Sequence, residues 1–586
     1  MEKILDFSFK FSILLILVLS FNSIIVPVLV IESSGPNTIF KDTLFRKSHD
    51  FYYDSWVQTD PLLLLMPKGT FQFTNSSFTN INITQNTFPQ NEPSVKISRK
   101  NPNNIVAAWR DFRTGVDPAV RRIGFSHSTD GGVTWSPGTL LPSLDLLHPR
   151  ASDPAVCTDT AGNFYISEIA IDTISPHNYR TAVFKSTDGG ISFNFSVNIA
   201  PLPDSILSND DKEYITSDMV PNSPYKNNIY VVWNRSPENP NILVRSTNSG
   251  LNWSQPVNFP LLGGGGFVPA VGLGGIVYII GGGQDTNVQA GIYIDKSTDG
   301  GLSFGQPVLI DHIPIQGFLL RLPSIATDIS NGPRGGYVYA VWSCPINYDP
   351  QNVDEDIFFS YSSNAGATWS ARKRVNNDPE NNGKKQYFPW MTCNEQGNIY
   401  ITFYDCRSTP DNTIFEAYLA SSTDGGLTFR NDVIGSQQSP SNYPNQDVRF
   451  GDYIGIDSWG GKVIPVWTDE RAGNFDMEIY TASIPDTVIG IKPISDKIPR
   501  SFKLYQNYPN PFNPSTMIRF DIASANNVSI VVYDILGREI AKLVNENLKP
   551  GSYETQWNAS GLATGVYFYR LTAGDFTMIK KMVVLK

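Results

Sequence analysis

The sequence predicts an all-β chain, a ring of small repeated sheets followed by a separate small sandwich. Three observations predict it: an eight-residue motif returns six times at near-even spacing, short alternating apolar runs fill the intervals, and the composition changes abruptly near residue 500. The copies run 128–135, 186–193, 246–253, 297–304, 362–369 and 422–429. Subtracting successive starting serines gives steps of 58, 60, 51, 65 and 60 residues. At such a period one supersecondary unit packs beside its copies, as in a β-propeller.

The chemistry of the octet explains its recurrence. Its third residue is Asp130, Asp188, Asn248, Asp299, Asn364 or Asp424, whose side chain accepts main-chain N–H bonds just ahead of it. The next two positions are mostly glycine, which takes positive φ without penalty, and the last is a Trp or Phe able to fill the space between neighbouring sheets. In Ser128-Thr129-Asp130-Gly131-Gly132-Val133-Thr134-Trp135 this pattern resembles the Asp-box, or BNR repeat, of sialidases and sialidase-like propellers. The resemblance implies a propeller whose Asp-boxes are structural and lie at the edge away from the active site.

With 586 residues, the chain suggests two or three domains. Aromatic residues are 12% and charged residues 17%, with 46 Gly and 41 Pro, the composition of many short strands joined by tight turns. A net charge of −10 without a Lys/Arg cluster argues against a nucleic-acid partner and against simple attraction to anionic lipids. Four cysteines without CxxC spacing exclude a disulfide scaffold. Cys344 and Cys406 fall at matching places in consecutive repeats, so either a bridge between neighbouring units or buried free thiols is expected.

In chain order, residues 1–31 carry Lys3 and Lys10 ahead of the apolar run Phe11 to Ile31 and read as an export signal, with an uncleaved anchor as the alternative. Residues 32–88 form an extension whose alternating Phe71-Gln72-Phe73 and Ile81-Asn82-Ile83 suggest one or two strands. The propeller spans 89–484. Its units open near Pro93, Pro154, Tyr214, Pro269, Pro323 and Pro389, and a seventh opens at Gly451 but has no Asp-box. Seven blades are expected, the last completed by a strand from the extension, with six blades as the alternative. Residues 485–501 read as a linker.

Residues 502–586 read as a small Ig-like β-sandwich, with β-rich runs at Val528 to Tyr533 and Val566 to Tyr569. This stretch contains Tyr505-Gln506-Asn507-Tyr508-Pro509-Asn510-Pro511-Phe512-Asn513-Pro514, Val532-Tyr533-Asp534-Ile535-Leu536-Gly537-Arg538 and Gly565-Val566-Tyr567-Phe568-Tyr569. It resembles the type A sorting domain of the type IX secretion system. The resemblance implies a partnership with that machinery and a secreted or outer-surface location.

Second strands end in Trp109-Arg110-Asp111-Phe112-Arg113, Tyr404-Asp405-Cys406-Arg407 and Trp467-Thr468-Asp469-Glu470-Arg471. Arg110, Asp111, Arg113, Asp405, Arg407, Asp469 and Arg471 are therefore candidate ligand-binding residues. Guanidinium groups gathered in one cleft would grip a carboxylate in two-pronged fashion, whereas an Asp–Arg bridge repeated in each unit would only pin its own loop.

First-strand openings bring Glu92, Asp153, Glu213, Tyr214, Arg321, Asp452 and Tyr453 to the axis. Sialidases bind the substrate carboxylate with three arginines and use an Asp acid/base and a Tyr nucleophile activated by Glu. Leu320-Arg321-Leu322-Pro323 resembles their arginine motif but lies in the fifth unit rather than the first. Arg321, Tyr453 and Asp153 are thus the weak catalytic candidates. The five histidines have no metal-ligand spacing, and nothing in the sequence calls for a cofactor. The expected function is a non-catalytic module binding an extracellular glycan or surface protein, with an exo-sialidase-like hydrolase as the alternative.

Overall fold

A computed structural model describes residues 76–585 except position 77 and segments 115–120, 173–177, 200–208, 237–240, 262–265, 285–289, 314–321, 346–353, 410–411, 441–450, 473–476, 487–491, 496–497, 514 and 560–561. The expected export segment, the strand at Phe71 to Phe73 and Arg321 lie outside the described residues.

Among the described residues, seven antiparallel sheets of four or five strands follow one another between Ile81 and Pro485, a propeller-like series. Their innermost strands are Gln90–Ile97, Arg150–Thr158, Asn209–Ser217, Phe267–Gly272, Ser324–Thr327, Gln386–Cys393 and Gly455–Trp459, which define sheets one to seven. Each innermost strand packs against the next, and that of sheet seven against that of sheet one. The second strands, such as Ile105–Asp111 and Val338–Pro345, are buried along their whole length and read as nearly unbroken apolar runs because both of their faces are covered.

Each Asp-box joins the third and fourth strands of its sheet. In the first, the Ser128 hydroxyl donates to Asp130 Oδ1 at 2.8 Å and accepts from the Gly132 N–H at 2.9 Å. The Thr134 hydroxyl donates to Asp130 Oδ2 at 2.6 Å and its N–H to Oδ1 at 2.9 Å. These bonds hold the Asp130 carboxyl at about 2, well below its ordinary range.

The fifth residue of each box lies against the preceding sheet. A Cβ on Gly190 would stand 2.1 Å from Val106 Cγ2 of sheet one, and one on Gly426 2.1 Å from Phe359 Cε1 of sheet five. Gly132 of sheet one meets Ile464 of sheet seven in the same way. The closing aromatic packs across the same seams. Phe193 meets Phe125 edge-on at 5.0 Å, and Phe429 meets Phe359 at 5.1 Å.

Sheet seven has no Asp-box and borrows its outer strand. Ile81–Asn82 pairs antiparallel with Glu478–Thr481, and Asn80 is stitched to the Ile434 carbonyl at 2.8 Å and the Ser436 N–H at 2.6 Å. The buried Asp457 joins sheet seven to sheet one, accepting from the Ile97 N–H at 2.8 Å and from Arg99 at 2.8 and 2.9 Å. All four cysteines are free, so Cys344 and Cys406 are unbridged.

The C-terminal region is two four-stranded sheets around their own core, with Ile518, Phe520, Ile530, Val532, Tyr569 and Leu571 buried. Its first strand, Lys492–Ser495, pairs with Gly551–Asn558, so the sandwich begins inside the span expected as linker. Only four residues long, and holding a proline, that strand carries little periodicity of its own.

The Pro-rich loop braces the terminal edge strand Phe576–Val584. Asn510 Oδ1 accepts from the Val583 N–H at 2.9 Å, and Phe512 donates its N–H to the Val583 carbonyl at 3.0 Å and accepts at its carbonyl from the Leu585 N–H at 2.9 Å. The Tyr569 hydroxyl donates to the Tyr505 carbonyl and accepts from the Asn507 N–H, both at 2.8 Å.

Two substitutions test the seam geometry. Ala365, at φ 55° where four of the other five boxes carry glycine, is strained, so Ala365→Gly is expected to raise the unfolding free energy by about 1 kcal/mol. Gly190→Ala is expected to lower it by about 2 kcal/mol or more, because its Cβ would strike Val106.

Candidate functional site

The site forms where the innermost strands begin. Register shifts between Asn91 and Ser94, Ser152 and Ala155, Asp211 and Tyr214, and Tyr387 and Trp390 leave two residues unpaired in each. The first of each unpaired pair, Glu92, Asp153, Lys212 and Phe388, has a φ of 53° to 56°. Proline follows in three of the four, where no ladder N–H is required. The bulges bring the side chains of sheets one, two and three together.

Arg110 is the hub of this cluster. Its Nε donates to Asn91 Oδ1 at 2.7 Å, Nη2 lies 3.3 Å from Glu92 Oε1, and Nη1 lies 4.0 Å from Asp153 Oδ1. Lys212 bridges Asp153, at 3.1 Å, and Asp452 of the loop entering sheet seven. Beside these charges Tyr214, Tyr453 and Trp390 form an aromatic group, with centroids 5.4 Å apart for Tyr214–Tyr453 and 5.8 Å for Trp390–Tyr453.

The electrostatics separate the two carboxyls. Burial pushes Glu92 up to about 8 despite Arg110. Burial also acts on Asp153, but Lys212 and Arg110 overcome it and hold that carboxyl well below its usual range. A neutral acid and an ionised carboxylate thus share one guanidinium. Glu213, just beyond Lys212, is pushed well up by burial and by Asp153. The Tyr453 hydroxyl is buried, donates to the Pro154 carbonyl at 3.1 Å, and is driven well above its ordinary range by burial and by the neighbouring Tyr214.

The loop arginines do not join this cluster. Arg113 bonds Asp111 through Nε at 2.9 Å and Nη2 at 2.6 Å, and Arg407 bonds Asp405 at 2.9 and 2.6 Å. Arg471 bonds Asp469 at 2.5 Å and lies over the Tyr480 ring at 3.9 Å. Each guanidinium therefore pins its own loop, while Arg110 alone of these candidates turns to the axis.

Sequence reading missed Lys212, although it fills the slot that Glu92 and Asp153 fill in the first two sheets. It also missed Glu168, which occupies the second-strand position held by Trp109, Trp233 and Trp342 in other sheets. Glu168 is 1% exposed, and neither carboxyl oxygen has a hydrogen-bond partner among the described residues. Burial raises it to about 8, with Arg122 opposing. The one signal was a Glu inside the apolar run Phe164 to Ile171. Among the described residues no group of three His, Cys, Asp or Glu side chains is placed to hold a metal.

Residues 506–585 match the secretion system C-terminal sorting domain family. The chain is accordingly exported through the type IX system to the cell surface or beyond it. No match is found among curated proteins. In fold the chain is similar to a Dyadobacter fermentans protein of unknown function, at 13% identity, 70% of this chain and 98% of that one, with a TM-score of 0.41. It is also similar to the Ruminococcus gnavus intramolecular trans-sialidase, at 12% identity, 64% and 97% coverage and a TM-score of 0.39. PorZ of Porphyromonas gingivalis, a surface component of the type IX secretion system, aligns at 12% identity over 83% of this chain and 58% of that one, with a TM-score of 0.40.

Glu168 makes stability depend on pH with a definite sign. Its folded value of about 8 exceeds the ordinary 4.5, so between those values the folded chain holds a proton that the unfolded chain releases. The stabilisation is complete below 4.5 and is lost as pH rises through 8, at up to about 1.4 kcal/mol per unit. Glu168→Gln is expected to flatten the dependence of the melting midpoint on pH between 5 and 8, as followed by circular dichroism.

Proposed function

We propose that the chain is exported as a closed seven-bladed propeller that binds an extracellular glycan or surface protein without turning it over. Closure is supported by the packing of sheet seven on sheet one, by the borrowed strand Ile81–Asn82 and by Asp457. The six-bladed alternative would leave Gly455–Trp459 outside the ring.

One observation carries the non-catalytic reading: the described catalytic candidates, Tyr453 and Asp153, are already engaged within the protein. Tyr453, at 2% exposure, donates to a main-chain carbonyl, and no neighbouring carboxylate accepts its proton. Asp153 is clamped between Arg110 and Lys212, and the three loop arginines are bonded by their own aspartates. Such a cluster braces blades one, two, three and seven about the axis, leaving recognition to the outer surface. Binding to an extracellular polymer or protein suits the surface destination that the sorting domain specifies.

The hydrolase reading is favoured by a different observation, the split between a neutral Glu92 and an ionised Asp153. Glycoside hydrolysis requires an acid and a carboxylate in those states. Incubation with a fluorogenic sialoside and a panel of neutral glycosides separates the two. No turnover is expected, whereas turnover that Glu92→Gln removes would establish the hydrolase. Truncation before residue 492 is expected to leave the propeller folded and to abolish surface delivery, as read by cell fractionation. Asp457→Ala is expected to cost about 3 kcal/mol by stranding Arg99, and to raise amide exchange at the seam of blades one and seven.

A further inference from the structure

A groove of about 350 Å³ lies between the outer strand of sheet two and the end of the third Asp-box, and shares no lining residue with the channel cluster. The seam it borders differs in composition from two others. At the seams of sheets one with two and five with six, the box aromatic meets a phenylalanine three residues before the preceding box, as in Phe193 against Phe125. In sheet two that position is Val183, and Trp253 of the third box is half-buried.

The lining is specific in its chemistry. Trp253 is fixed by its own fold, since its Nε1–H donates to the Gly250 carbonyl at 3.2 Å, so its ring is held without any ligand. Val197 forms the opposite apolar wall, and the amides of Asn198, Asn252 and Gln255 border the groove. Its one charged lining residue, Arg235, is bound to the buried Asp210 at 2.7 and 2.9 Å, so the pair presents no net charge. An aromatic plate flanked by planar amides and a neutralised guanidinium matches the apolar ring face and radial hydroxyls of a sugar, and offers nothing to balance a carboxylate.

We propose that this groove is a binding site for a neutral saccharide unit, stacked on Trp253 and hydrogen-bonded by Asn252 and Gln255. The site is separate from the channel cluster and does not depend on whether that cluster is catalytic.

The test is a fluorescence titration of the purified full chain with cellotetraose, mannotetraose and laminaritetraose, with sialyllactose as the charged comparison. At least one neutral tetrasaccharide is expected to shift the tryptophan emission saturably. Trp253→Ala is expected to abolish the response, and Asn252→Ala/Gln255→Ala, whose side chains are exposed, to weaken it at least tenfold with an unchanged melting profile. The assignment is overturned if none of the neutral sugars binds, if the double variant binds them as tightly as the parent, or if sialyllactose alone is bound and lost in the groove variants. Sialyllactose binding or turnover that both variants retain would belong to the channel mouth and bears only on the hydrolase reading.

Discussion

Six of the seven sheets meet a neighbour at one backbone position, the fifth residue of the Asp-box, where a Cβ would strike the neighbouring sheet at Gly190 and Gly426 and lie 3.0 to 3.4 Å from it at the other four. The Asp and Ser of the box fold the hairpin so that this residue takes positive φ, and the bare backbone then closes on Val106, Tyr165 or Phe359. The aspartates are local devices, but their effect is long-range: they set the distance and angle at which successive sheets meet. Where no box exists, in sheet seven, other groups take over the task. There Asp457 holds Arg99 of sheet one, the strand Ile81–Asn82 covers the edge, and Ser483 donates to the Gly131 carbonyl at 2.9 Å.

The same economy governs the axis. A bulge at the head of each of several innermost strands turns charged side chains inward, where water is scarce. They remain there because Arg110 and Lys212 are balanced by Asp153 and Asp452, with the neutral Glu92 beside Arg110. Within the cluster, Glu92 Oε2, both Glu213 carboxyl oxygens and the Tyr214 hydroxyl have no hydrogen-bond partner among the described residues. The groove at Trp253 shares no lining residue with this cluster.

The repeating architecture could be read from the sequence because it rests on short-range chemistry. The boxes, the seven units and the β-rich C-terminal region all follow from turn residues and alternation. The site was harder to read, because Trp-x-Asp-x-Arg is the same string whether its arginine reaches a ligand or its own aspartate, and only the structure shows Arg113 and Asp111 joined twice. Lys212 lay hidden because bulges shift the register by which units are aligned. Glu168 looked like an ordinary strand residue until its position among the tryptophans was known. The strand Lys492–Ser495 is defined by its partner Gly551–Asn558 rather than by any pattern of its own.

The Pro-rich loop of the sorting domain is bonded to the last strand of the chain at Lys581, Val583 and Leu585. An open strand at the edge of a sheet is a template on which other chains can pair. By occupying the outer bonding groups at the end of its final strand, the loop denies that template to them. Part of what reads as a delivery address is therefore also the cap on a sheet edge.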